Sequence, residues 1–224
     1  AGWKRFVLLH CRGHRFIGNG FGPGTSDVEI DVLGAVGDYL GSGSDGMRIT
    51  MHGNAQDQVA QIHKAGELVV HGDVGQCYGY GAKGGRLFVL GNAAGRPMIN
   101  AVGSPKVIIN GTALDYLAES FMAGDPLDGG GFVIINGMRF DQQGEILALE
   151  TPYPGGNLFS LASGGAIYVR DPHNRLSDSQ LNGGAFTEMA DEDWAVVEPM
   201  LQRNEEHFGI SLQRLLTVEG ELSS

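Results

Sequence analysis

The sequence is short of cysteine, of positive charge and of long apolar runs, and each shortage removes a class of function. Cys11 and Cys77 are the only cysteines, and no C-x-x-C pair is present. Two thiols alone cannot hold an iron–sulfur cluster or a structural zinc, so two buried free thiols are expected. The 15 Lys and Arg against 26 Asp and Glu leave a net charge of −11. With no Lys- or Arg-rich run to offset it, that balance argues against a nucleic-acid partner. No run of about 18 apolar residues offers a membrane span and no secretory leader pattern opens the sequence, so a cytoplasmic location is expected.

What is abundant is glycine, 37 of 224 residues. There is neither a collagen-like triplet nor a low-complexity run, so these glycines punctuate a folded chain. The stretch "GYGAKG", with Gly79, Gly81 and Gly84, has the spacing of a dinucleotide-binding fingerprint. Such a fingerprint needs a strand before it and a helix after it. The strand "ELVVHG" precedes, but Gly85 and "RLFVLG" follow, which is another β-rich run and leaves no room for the helix.

The same spacing occurs 38 residues earlier in "GSGSDG", and a repeat runs through the chain. Short apolar runs end at Gly34, Gly53, Gly72, Gly91, Gly111 and Gly137, at intervals of 19, 19, 19, 20 and 26 residues. The long last interval places an insertion in "FMAGDPLDGGG". Ile30, Ile49, Leu68, Leu87 and Val107 form one column, and Val32, Met51, Val70, Val89 and Ile109 another. Residues two apart on a strand share a face, so the columns predict one continuous buried wall. The column beside them reads Glu29, Arg48, Glu67, Arg86, Lys106, and its first four charges alternate. Alternation suits a solvent-facing ladder between parallel, in-register strands.

Six residues past the strand-ending glycines stand Leu40, Val59, Tyr78, Pro97 and Leu117, able to fill a second apolar side before a glycine return. One such unit cannot bury its own face, whereas a stack can. The expected fold is all-β, a right-handed single-stranded parallel β-helix of about 19 residues per coil over 1–185, with a short α-helical tail over 186–224. A left-handed hexapeptide helix fits less well, because an aliphatic every sixth residue is not maintained.

The repeat, with "YGYGAKGGRLFVLGNAAGRPMINAVG" at its centre and "LASGGAIYVRDP", carrying Gly164 and Gly165, near its end, resembles the G-x-G-x-G β-helix domain at the carboxyl end of the glutamate synthase large subunit. The same domain occurs in the β-helix subunit of formylmethanofuran dehydrogenase and in that of related formyltransferase/hydrolase complexes. The resemblance runs from about Gly18 to Asp171 and continues into the tail "MADEDWAVVEPMLQRNEEHFGISLQRLL", which is similar to the helical ending of glutamate synthases. It implies a scaffold without catalytic residues or cofactor of its own, placed in a hetero-oligomer beside larger subunits. Those partners, of amidotransferase and synthase type or of formyl-transfer type, would carry FMN and an iron–sulfur cluster. An amidotransferase of that type has an amino-terminal cysteine nucleophile, whereas position 1 here is Ala1. The resemblance therefore points to a stand-alone β-helix subunit, as in split enzymes that make glutamate or N-methylglutamate.

The remaining candidates for chemistry are few. Asp38 and Asp57 stand four residues past their glycines on successive coils, as does Asp115 further on. They could hold a hard cation or share a proton, and they motivate a rival reading, a free-standing β-helix enzyme acting on a carbohydrate or polyanion. The commoner use of aspartate at a corner is to bond backbone. His52 and His71 stack one coil apart, where a packing ladder is the simpler account because no third metal ligand follows in the column. "HCRGH", His10 to His14, mixes ligand types but reads as an ordinary strand. At the ends, "WKRFVLLH" is expected to close one opening. Asp191 is expected to cap a helix presenting Trp194, Val197 and Leu201, with Pro199 kinking or dividing it and a second helix carrying Leu212, Leu215 and Leu216. These helices either close the other end or dock on another subunit.

Overall fold

The computed structural model describes residues 2–218 and 221–222. Eight strands form one wall: β1 (Arg5–His14), β2 (Glu29–Val36), β3 (Asp45–His52), β4 (Ala65–Val70), β5 (Arg86–Val89), β6 (Lys106–Ile109), β7 (Phe132–Ile135) and, after an antiparallel hairpin of β8 (Met138–Phe140) and β9 (Ile146–Ala148), β10 (Ala166–Val169). Their order in the sheet is β1-β2-β3-β4-β5-β6-β7-β10, and every neighbouring pair is parallel. Each parallel step requires a crossover, and here each crossover is the rest of one coil, so the sheet is one wall of a β-solenoid.

The register is the one the repeat dictates. Ile30 pairs with Ile49, Leu68, Leu87 and Val107 in turn, and Val32 with Met51, Val70, Val89 and Ile109. These side chains point inward and are almost wholly buried. Leu40, Val59, Tyr78 and Leu117 fill the opposite side of the same core. The insertion in "FMAGDPLDGGG" forms a short 3-10 turn, Pro126–Asp128, closed by the Asp125 carboxylate accepting from Leu127 N. The β8–β9 hairpin is a second excursion that the repeat gave no sign of; Asp141 shapes its turn by accepting from Gln143 and Glu145 backbone N–H groups.

The ends differ from expectation. "WKRFVLLH" does not lie across an opening but continues the sheet as its edge strand, leaving Trp3 77 % and Leu9 60 % exposed. The tail forms α1 (Asp191–Phe208) and α2 (Leu212–Leu216), and these cover the outer face of the strand wall instead of an end. The outward residues of β4 to β7 explain why. Val69, Phe88, Ile108 and Ile134 are apolar, so these strands are hydrophobic on both faces and need cover on each. Val197, Met200, Leu201, Ile210 and Leu215 supply it. On β2 and β3 the corresponding positions are Asp31 and Thr50, and the helix does not extend over them.

Asp191 is the first helical residue and not the cap. Ala190 holds the cap position, and Asp193 reaches back to accept from its N–H at 3.0 Å while also accepting from the Tyr168 hydroxyl at 2.9 Å. Three acidic residues in that first turn favour the positive end of the helix dipole. Pro199 does not divide the helix, which runs 18 residues through it and ends at Gly209 in the left-handed region. A buried amide cluster pins its middle: Asn110 and Asn204 exchange two hydrogen bonds of 2.9 Å, and Asn136 donates to Asn110 Oδ1 at 2.8 Å.

Candidate functional site

The wall opposite the strands carries the G-x-G-x-G spacing, and its backbone explains it. In each coil three alternate residues have positive φ: Tyr39, Gly41 and Gly43; Gln58, Ala60 and Ile62; Cys77, Gly79 and Gly81; Arg96, Met98 and Asn100; Tyr116, Ala118 and Ser120. Their amides alternate in direction. Gln58 N donates forward to Gln76 O, Ala60 N backward to Leu40 O, and Ile62 N forward to Tyr80 O, each at 2.8 Å. The spacing of two is therefore the repeat of an alternating left- and right-handed backbone, satisfied by the coils on both sides. Glycine occupies such positions without steric cost, whereas an L side chain costs roughly 1 kcal/mol. Gln58→Gly is accordingly expected to raise the thermal midpoint by about 1–4 °C, where the same change in a strand or helix would lower it. Differential scanning calorimetry reads the sign directly.

Gly79 and Gly84 make room for the neighbouring coils. A Cβ on Gly79 would lie 2.2 Å from Met98 Sδ, and one on Gly84 would lie 2.5 Å from Lys64 O, so neighbouring coils fill the space beside these glycines. The chain then enters β5 and not a helix.

The corners hold two ladders of side-chain oxygens. Asn54 Oδ1 accepts from Asp73 N, Asp73 Oδ1 from Asn92 N, and Asn92 Oδ1 from Thr112 N, at 2.7–3.0 Å. Each oxygen sits over the glycine that precedes its donor: a Cβ on Gly72, Gly91 or Gly111 would come within 2.2–2.3 Å of it. The strand-ending glycine is thus the room that the previous coil's Asx side chain occupies. In the second ladder Asp38 Oδ1 accepts from Asp57 N at 3.3 Å and Asp57 Oδ1 from Gln76 N at 2.8 Å, with Arg15 paired to Asp38 at 2.6 Å. Asp115 accepts from its neighbour Tyr116 and from Asn157. Asp38 and Asp57 lie on adjacent coils as the sequence indicates, and one oxygen of each accepts from a backbone amide of the next coil.

His52 and His71 stack with ring centroids 5.3 Å apart, and Phe208 of α1 meets His71 edge-on at 5.0 Å. Burial, then the neighbouring His52 and His207, push the His71 pKa down. His52 Nε2 lies 3.1 Å from Asp31 Oδ1. Among the described residues no group of three His, Cys, Asp or Glu side chains is placed to hold a metal ion. In "HCRGH", Cys11 is buried, whereas His10 and His14 are exposed on β1. Cys77 is only partly buried at a corner, contrary to the expectation of two buried thiols.

Two arrangements escaped the sequence reading. Ser44 Oγ lies 2.6 Å from His63 Nδ1, a geometry that in a cleft would suit a nucleophile and its base. Both residues are buried, however, and a Cβ on Gly85 would meet His63 Nε2 at 2.4 Å, so no substrate reaches them. Their separation of 19 residues, one coil, was the available signal. Burial holds the His63 pKa near 4, below its ordinary 6.5. A folded pKa below the unfolded one means that the unfolded chain takes up the proton first. The stabilisation is full above pH 6.5 and is lost as pH falls toward 4, roughly 3 kcal/mol in all. Urea unfolding from pH 7 to 4 should show that loss, and His63→Gln should remove most of it.

The second is the charge column, expected to face solvent. Glu67 instead is 3 % exposed. Arg203 of α1 donates to both of its oxygens at 2.6 and 3.0 Å, Arg86 and Arg48 lie at 3.2 and 3.4 Å, and His207 at 3.3 Å. Beyond this cluster, a groove of about 760 Å³ runs between β10, α1 and α2, lined by Tyr168, Arg170, Asp171, Trp194 and Leu215 among others.

A family model described as "GXGXG motif" matches residues 10–218. No curated protein and no solved structure matches the chain.

Proposed function

The chain belongs to the GXGXG motif family, and from that premise we propose that it is a non-catalytic β-helix subunit of a glutamate synthase-like assembly. In that assembly larger subunits carry the amidotransferase and synthase chemistry, with FMN and an iron–sulfur cluster, in the cytoplasm. The observation that carries the reading is where this chain's own reactive groups go. Asp38 and Asp57 accept backbone amides of the next coil, and the Ser44–His63 pair is sealed inside the core. What is left at the surface is a rigid spacer. Among the described residues no helix is long and apolar enough to cross a membrane.

The isolated chain should therefore show no flavin absorbance and no bound iron, and should release no ammonia from glutamine. Any of the three in the purified chain would overturn the proposal. A free-standing enzyme would lose its activity with Asp38→Asn and Asp57→Asn together, and an activity surviving that pair would point away from this corner.

A further inference from the structure

Acidic residues outnumber basic ones 26 to 15 in this chain, yet one pocket reverses the balance. Arg139 of β8, Arg170 and His173 just past β10, and Arg214 of α2 converge on a cavity of about 610 Å³. Among the described residues that line it, Glu145 is the one carboxylate, and its side chain is 72 % exposed. Two of the arginines are held by carbonyl oxygens. Arg170 is half-buried and donates Nε to Leu215 O at 2.5 Å and Nη1 to Asn136 O at 3.3 Å. These bonds fix the plane of its guanidinium and leave Nη2 without a partner among the described residues. Burial lowers its pKa, as it does for a cation held without a counter-ion. Arg214 donates Nη2 to Gly144 O at 2.8 Å and reaches Glu145 only at 3.4 Å. Tying β10 to α2 and α2 to the hairpin accounts for these two. It does not account for Arg139, whose side chain makes no hydrogen bond or ion pair among the described residues.

We propose that this pocket binds the phosphate group of a small organic phosphate ester. Guanidiniums gathered in one cavity repel each other, and an anion seated among them turns that repulsion into attraction. The placement of the donors selects the shape of the anion. They stand on a hairpin strand, a strand end and a helix, so they approach from different directions. A planar carboxylate is satisfied by a single guanidinium fork, whereas a tetrahedral phosphate has three terminal oxygens for donors on several sides. The cavity is larger than the phosphate alone, and Ile146, Leu147 and Ala148 of β9 line it beside the cations, which leaves an apolar strip for the organic remainder. The cations form a pocket and not a stripe, in a chain of net charge −11, which suits one phosphate group and not a nucleic-acid backbone.

The probes are phenyl phosphate, inorganic phosphate and benzoate, titrated into the full chain by calorimetry at constant ionic strength. Phenyl phosphate should bind with a Kd below about 1 mM, inorganic phosphate about fivefold more weakly for want of the apolar remainder, and benzoate about tenfold more weakly. Arg139 is exposed on β8 and ties no element to another, so Arg139→Gln should fold normally and weaken phenyl phosphate about tenfold. Lys83→Gln, which removes an exposed cation outside the pocket, should leave binding unchanged. Benzoate binding as tightly as phenyl phosphate would overturn the proposal in favour of a carboxylate, such as an acidic side chain of a partner. Equal affinities of Arg139→Gln and Lys83→Gln would overturn it by showing a general attraction of anions. So would the absence of both heat and any rise in thermal midpoint with phenyl phosphate at about 10 mM. The pocket is built by this chain alone, so none of these outcomes bears on whether larger subunits accompany it.

Discussion

Gly66→Ala is expected to lower the thermal midpoint by roughly 10 °C or more. Gly66 has φ +97°, and a Cβ there would stand 2.2 Å from Met47 O, 2.7 Å from Gly46 C and 2.8 Å from Gly46 O. All three are backbone atoms of the neighbouring coil. That coil cannot retreat, because β3 is held in register by β2 on one side and by β4 on the other. Relieving the overlap means breaking the parallel ladder on both sides, a loss of about 4–5 kcal/mol or more, which corresponds to roughly 10 °C or more in thermal midpoint. Gly81→Ala is the control. Its φ is +62°, but the nearest atom to the new Cβ would be Ile62 Cγ1 at 3.8 Å, so only the backbone conformation is penalised, by about 1 kcal/mol. Denaturant unfolding followed by circular dichroism compares the two. If Gly66→Ala unfolds within 1 kcal/mol or so of Gly81→Ala, close coil packing is not what demands glycine.

Glu67→Ala is expected to cost about 2–3 kcal/mol, because it removes the one buried member of the cluster with its charged hydrogen bonds, while Arg48 and Arg86 are about half exposed and keep their hydration. Arg48, Arg86, Arg203 and His207 would then surround a site without its anion. Arg203→Ala should cost less, since Glu67 keeps Arg48, Arg86 and His207, but it should loosen α1, which loses its bidentate bond to β4. The pH dependence follows from the carboxyl itself. Burial works to raise its pKa, but the hydrogen bonds from His207 and Arg203 outweigh burial and hold it near 2, below the ordinary 4.5. A depressed carboxylate stabilises fully above the unfolded pKa, and that stabilisation is lost as pH falls from about 4.5 to about 2. Acid unfolding should therefore show two successive losses, the first from His63 and the second from Glu67, and Glu67→Gln should flatten the second alone. A wild type and a Glu67→Gln variant with parallel stability curves below pH 4.5 would contradict the buried, ion-paired state of Glu67.

The solenoid was legible in the sequence because parallel in-register stacking imposes a physical repeat. Ile30, Ile49, Leu68 and Leu87 occur 19 residues apart because each must pack directly on the last. The glycine spacing was also legible as structural, though not as backbone handedness. Gln58, Ile62 and Arg96 have the same positive φ as Gly79, and nothing in their side chains announces it. The helix-covered face was missed for a different reason. Its contacts join β4 to residues far along the chain, Glu67 to Arg203 across 136 positions, and a 19-residue period is blind to them. A signal was nevertheless present: alternation fails on β4 to β7, where Val69, Phe88, Ile108 and Ile134 make the outer face apolar. Strands hydrophobic on both faces predict a cover, and the amphipathic tail was the obvious candidate. The same cover buried Glu67 out of the expected solvent ladder, while Glu29, Arg48 and Arg86 beside it stay about half exposed. At the helix start, the N-cap went to Ala190 because Asp193, a turn further on, reaches both its N–H and the Tyr168 hydroxyl.

The scaffold reading is tested most directly by the company the chain keeps. Isolated at low salt from its native source and resolved by size and mass spectrometry, it should elute with larger subunits in fixed stoichiometry, and flavin absorbance and iron should travel with those subunits. Elution as a free chain, with a substrate turnover of its own, would contradict the account.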